Sequence, residues 1–86
     1  MILLDLVNVL KDNTRITVEI LKVNNETKEQ IFEINPEQVV IDEPVGHVKY
    51  LPEFTLLLHN EVDTVRSYYS KRTGDPVLEI LIIKYI

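Results

Sequence analysis

Two histidines, His47 and His59, and two nearby serines, Ser67 and Ser70, are the side chains with the most obvious chemistry in this 86-residue chain. A zinc site needs three or four ligands drawn from thiolates, imidazoles and carboxylates. There is no Cys, the histidines lack metal-ligand spacing, and the best set the chain can fold together is His59, Glu61 and Asp63. No metal is expected, and His59 reads as a polar residue at the negative end of a helix dipole. Acyl transfer needs a nucleophile activated by a base that a third group orients, whereas Ser67 and Ser70 lie in a tyrosine-rich strand without the strained strand-to-helix turn of a nucleophile elbow. Asp42 and Glu43 are adjacent carboxylates, but neighbours on an extended chain point to opposite faces and cannot share acid/base work. Gly74 is alone in its turn and Gly46 is the one other glycine, which excludes a phosphate-cradling loop of the Gly-rich kind. Neither a cofactor nor an enzymatic activity is expected.

Two clusters suit binding better. The formal charge is −5, and the stretch from Glu26 to Glu43 carries that whole excess: Glu26, Glu29, Glu33, Glu37, Asp42 and Glu43 stand against Lys28 alone. Such a surface repels phosphates, so direct nucleic-acid binding is not expected, and it complements a basic protein surface. Its plainer role is to keep a small apolar protein soluble. The second cluster is Arg66, Tyr68, Tyr69, Lys71 and Arg72, in which cations can hold phosphates and tyrosines can stack on bases. Its plainer role is to pack the sheet and to discourage edge-to-edge aggregation.

The elements that position these clusters follow from periodicity. Leu3, Leu6, Val7 and Leu10, with Asp5, Asn8 and Lys11 between them, predict an amphipathic helix over Ile2 to Leu10. Ile16, Val18 and Ile20 alternate with Arg15, Thr17 and Glu19, which predicts a strand from Thr14 to Val23. After the Asn24-Asn25-Glu26 turn, Phe32 and Ile34 share a face, so Glu29 to Ile34 is expected to close an antiparallel hairpin. Asn35-Pro36-Glu37-Gln38 looks like a helix start, but β-branched Val39-Val40-Ile41 and then Pro44 and Gly46 limit it to one turn. Residues 35–51 therefore read as one helical turn and an irregular, extended connection. Leu51-Pro52-Glu53 starts a second helix that reaches about Leu58. Phe54 to Tyr69 has spacings of three and four that suit one long helix, yet the Val, Thr, Ser and Tyr content of Val62 to Ser70 favours a strand. Ser70 to Pro76 is a hairpin loop. Val77 to Tyr85 is a final strand, apolar on both faces, expected at the centre of a sheet covered on both sides or buried by a second copy. The fold class is α+β: a small antiparallel sheet of two hairpins, in the order α-β-β-α-β-β, with helices on one face.

One domain, 1–86, accommodates all of this. With 45% apolar and 27% charged residues the chain can build a core. The absence of Cys points to a reducing compartment, and no apolar run approaches a membrane span or sits behind a basic leader. Cytoplasmic location is expected.

The series Leu3-Leu4-Asp5-Leu6-Val7, Asp12-Asn13-Thr14, Leu51-Pro52-Glu53-Phe54, Glu61-Val62 and Val77-Leu78-Glu79-Ile80 resembles small phage and prophage proteins of Firmicutes. The resemblance covers both ends of the chain and skips roughly Gln38 to Tyr50, which implies that the irregular segment 35–51 is an insertion. It implies a compact protein of helix plus hairpins and a neighbourhood rich in anti-defence and anti-CRISPR proteins, working in the host cytosol; it carries over no site residue. Together with the acid cluster it leads to an expected function: an inhibitor that binds a host nucleic-acid-processing protein, such as a CRISPR effector, through Glu26, Glu29, Glu33, Glu37, Asp42 and Glu43. Two other readings stand beside it. One is an oligomeric protein that sequesters a nucleotide signal through Arg66, Tyr68, Tyr69, Lys71 and Arg72. The other is a phage structural or accessory assembly protein. A homodimer through the C-terminal strand is compatible with all three.

Overall fold

A computed structural model describes residues 1–27 and 36–86. The chain runs α1 (Leu3–Val9), β1 (Arg15–Val23), β2 (Glu37–Pro44), α2 (Val45–Val48), α3 (Pro52–Thr55), β3 (Val62–Tyr69) and β4 (Pro76–Tyr85). The four strands form one sheet in the order β2-β1-β4-β3. The α+β class stands, but the sheet is mixed and not a pair of antiparallel hairpins. β1 runs parallel to β4 in unbroken register from Arg15 opposite Val77 to Val23 opposite Tyr85, while β2 and β3 are antiparallel to their neighbours. Parallel neighbours require a crossover, and the chain makes it through β2, α2 and α3.

Local signals account for most elements. Asp5 Oδ2 accepts the Ile2 N–H at 3.1 Å and closes the start of α1. Pro52 takes the first turn of α3, where its missing N–H costs nothing. The Val, Thr, Ser and Tyr composition of 62–69 wins over its helical spacing, because β4 offers it a ladder that is regular from Thr64 to Tyr69.

The second quarter of the chain is corrected. The hairpin strand expected at Glu29 to Ile34 lies outside the described residues, and the partner of β1 is β2, Glu37–Pro44. Asn35-Pro36-Glu37-Gln38 does not begin a helix; the β-branched run Val39-Val40-Ile41 prefers the pleated surface beside β1. The segment read as irregular thus holds both a strand and a helix. α2 is fastened by Val45 N–H to Thr14 O at 2.8 Å, Gly46 N–H to Asp12 O at 2.9 Å, and Lys49 Nζ to Asp12 Oδ1 at 2.6 Å. That last contact raises the Lys49 pKa. A Cβ at Gly46 would lie 2.9 Å from Asp12 Cβ, so the close approach needs glycine.

The helices pack on one face of the sheet. Leu3 and Val7 of α1, Val45 and Val48 of α2 and Phe54 of α3 meet Ile16, Val18 and Ile20 of β1, Val40 of β2 and Ile80 and Ile82 of β4. β4 is central, as expected, with a neighbour on each side. Among the described residues no helix lies over its other face, where Leu81 and Ile83 are half-buried. Among the described residues no helix is long and apolar enough to cross a membrane.

Candidate functional site

The two charged clusters meet at one residue. Ile16 pairs with Glu43 and Val18 with Val40, so Ile41 and Asp42 both lie opposite Thr17. This is a β-bulge, and Asp42 takes a left-handed backbone with φ of 50°, a conformation Asp tolerates better than most residues. The bulge turns the carboxylate away from the helices and onto the outer sheet face, where Asp42 is 8% exposed.

There the carboxylate is consumed by the protein itself. Arg15 Nε donates to Asp42 Oδ1 at 2.5 Å and Ser70 Oγ donates to Oδ2 at 2.5 Å. The Asp42 carbonyl accepts from Arg15 at 2.5 Å and from Arg72 at 3.0 Å. Its N–H donates to Thr17 Oγ1 at 3.0 Å, and Thr17 shares a hydrogen bond of 2.8 Å with Tyr68 Oη. Ser70 Oγ in turn accepts the Arg72 and Thr73 N–H groups, both at 3.2 Å. The β3–β4 turn is thereby drawn across the sheet and pinned to β2. The hydrogen bonds from Ser70 and Arg15, then the charges of Arg15 and Arg72, hold the Asp42 carboxyl below the usual carboxylate range and outweigh its desolvation. The same partner raises Arg15 above its ordinary value.

Several members of the two expected binding sets have partners within the protein. Of the acidic set, Asp42 is internal, Glu29 and Glu33 lie outside the described residues, and Glu26 and Glu37 are exposed near the same end of the β1–β2 pair. Glu43 sits at the other end of β2, 3.8 Å from His47 Nδ1. Of the basic set, Arg66 is paired with Glu79 at 2.8 Å, Tyr68 with Thr17, and Arg72 with Asp42. Tyr69 and Lys71 are exposed and make no hydrogen bond or ion pair with the described residues. A shallow depression of about 410 Å³ beside the bulge is lined by Tyr68, Tyr69, Lys71 and Arg72, but its tyrosine hydroxyl and guanidinium already have internal partners.

Catalytic geometry is equally sparse among the described residues. A hollow of about 1010 Å³ at the end of the sheet brings His47, Ser67 and Asp75 to its wall, but no hydrogen bond joins Ser67 to His47, so the first requirement of an activated nucleophile is unmet. No three acidic or histidine side chains converge as metal ligands there or elsewhere among those residues.

One feature escaped sequence reasoning. A groove of about 410 Å³ runs between β2 and the two short helices. Its floor is Val40, Val48 and Phe54, all buried, and Ile41 and Leu51 rise from it 57% and 40% exposed. Val39, Glu43, Glu53 and His47 complete the lining. Glu53 reads in sequence as a helix-start acid and Ile41 as part of a connection. Only the pairing of β2 with β1 sets them on one groove. No protein-family model, curated protein or solved structure matches the chain.

Proposed function

We infer that this is a non-catalytic binding protein whose groove beside β2 docks an apolar and basic segment of another protein. The observation that carries the reading is the groove's makeup: exposed Ile41 and Leu51 over an apolar floor, with Glu43 and Glu53 on its lining. An apolar centre with a charged border is the usual division of labour in an interface, in which buried anchors supply affinity and rim charges supply orientation and encounter rate. A partner that carries lysines and arginines around an apolar contact fits this border, and nucleic-acid-processing proteins offer such surfaces where phosphates lie. In its specific form the reading is that of a phage-encoded inhibitor acting in the host cytosol on such a protein, a CRISPR effector being the first candidate.

The nucleotide-sequestering alternative has less to stand on, because Arg66, Tyr68 and Arg72 are spent on Glu79, Thr17 and Asp42. Binding to purified candidate effectors, measured by calorimetry at low and high salt, separates the two. Glu43→Lys together with Glu53→Lys should weaken effector binding and flatten its salt dependence. Unchanged affinity and slope in that variant would remove the electrostatic role of the groove, and a melting-temperature rise with a nucleotide would restore the alternative.

A further inference from the structure

β3 is a sheet edge, and every residue in it after Val62 is exposed. The direction of its backbone groups follows from the hairpin. Ser70 N–H donates to Asp75 O at 2.8 Å and Ser70 O accepts from Gly74, so Ser70 faces β4. In an antiparallel ladder this orientation alternates. Tyr68, Arg66 and Thr64, opposite Val77, Glu79 and Leu81, therefore also turn their N–H and C=O groups inward, and Val65, Ser67 and Tyr69 turn theirs to the open edge. The edge is closed at its start, where Met1 O accepts the Val62 N–H at 2.8 Å and Ile2 bridges Glu61. Among the described residues nothing pairs with it from Asp63 up to the turn at Ser70 and Lys71.

We propose that this edge pairs with the same edge of a second copy, antiparallel about a two-fold axis at Ser67, to make a continuous eight-stranded sheet. An axis perpendicular to a sheet places a residue with outward-facing groups opposite itself, and Ser67 is the midpoint of the free stretch from Asp63 to Lys71. In that register Ser67 faces Ser67 of the second copy and Val65 faces Tyr69, both as hydrogen-bonded pairs. Arg66 faces Tyr68, Thr64 faces Ser70, and Asp63 faces Lys71. The segment is thus complementary to itself in charge and in apolar contact. Val65 and Tyr69, which are 42% and 76% exposed, would cover one another on the helix side, where no helix of their own protomer reaches. Lys71, which has no ion pair among the described residues, would gain an anion. This places edge-to-edge pairing at β3, since both edges of β4 are occupied. The sheet of the dimer would end in β2 at both extremes. That places one groove at each end, although the pairing itself does not depend on what the groove binds.

Sedimentation equilibrium over a wide concentration range tests the pairing. The wild type should approach twice 10.0 kDa, and a monomer at every concentration would overturn the proposal. Ser67→Pro removes an edge N–H without touching the β3–β4 ladder and should leave a folded monomer; a variant that still dimerises would exclude this edge. Lys71→Asp, on an exposed turn, should weaken the dimer roughly tenfold, because two symmetry-related ion pairs become repulsive. Adding Asp63→Lys to it should restore wild-type association. Failure of that restoration would overturn the register.

Discussion

The two edges of this sheet are handled in opposite ways. β2 is bulged, is backed on its helix side by α2 and α3, and turns the carboxylate at its bulge onto the outer face to bind Arg15, Ser70 and Arg72. β3 keeps a regular ladder with β4 after an irregularity at Val62, and its residues after Val62 are exposed on both faces. Bulges and cover are common ways to blunt an edge against pairing. The difference teaches that β2 is shaped to present side chains around a groove and β3 to present its backbone.

Two aromatic truncations should widen the contrast most. Phe54→Ala removes a ring that is 0% exposed under β2 and α2, and should cost about 3–5 kcal/mol of stability in urea unfolding. Tyr69→Ala on β3 should change the stability of dilute monomer by no more than about 0.5 kcal/mol. Comparable losses at both sites would mean that β3 is packed as firmly as β2.

Next come substitutions at Asp42. Asp42→Asn keeps the left-handed backbone accessible but gives up the charge that Arg15 requires; Asp42→Val gives up both. Urea midpoints should fall in the order wild type, Asn, Val. Both variants should also free the β3–β4 turn, seen as faster proteolysis near Lys71 and Arg72. If the turn stays protected, the link across the sheet is not what holds it.

The same residue sets a pH dependence. Because the folded-state pKa of Asp42 is lowered, the unfolded chain takes up its proton first as the solution is acidified. Its contribution is complete above the unfolded value of about 4 and declines as pH falls through the folded value. The stability gap between wild type and Asp42→Asn should therefore hold constant from about pH 7 to pH 5 and narrow below about pH 4. A gap that widens on acidification would reverse the sign and contradict the assignment. The smallest effect belongs to the groove: Glu43→Lys with Glu53→Lys should leave stability within about 0.5 kcal/mol of wild type, so that any loss of partner binding reflects the surface and not the fold.

Elements whose signals are local were legible in the sequence. Alternation at Ile16, Val18 and Ile20 marks β1, Leu51-Pro52-Glu53 marks α3, and the Ser70 to Pro76 turn marks the β3–β4 hairpin. β2 was not legible, because Asn35-Pro36-Glu37-Gln38 is a local cap signal and the force that overrides it is pairing with a strand more than a dozen residues earlier. The role of Asp42 was hidden for the same reason. A bulge exists only relative to the register of the opposing strand, and the partner Arg15 is 27 residues away. The strand at 62–69 was legible from its Val, Thr, Ser and Tyr content, but the burial of Ser70 against Asp42 was not, and which of the nearby cations are paired depends on Glu79 and Asp42, partners set by the tertiary fold.

Amide hydrogen exchange followed residue by residue at two protein concentrations compares the two edges most directly. At low concentration the outward amides of Val65, Ser67 and Tyr69 should exchange fast, while the inward amides of Arg66 and Tyr68 are protected by β4. Raising the concentration should slow exchange at Val65, Ser67 and Tyr69 and leave β2 unchanged. Slowing at β2, or none at β3, would contradict the account.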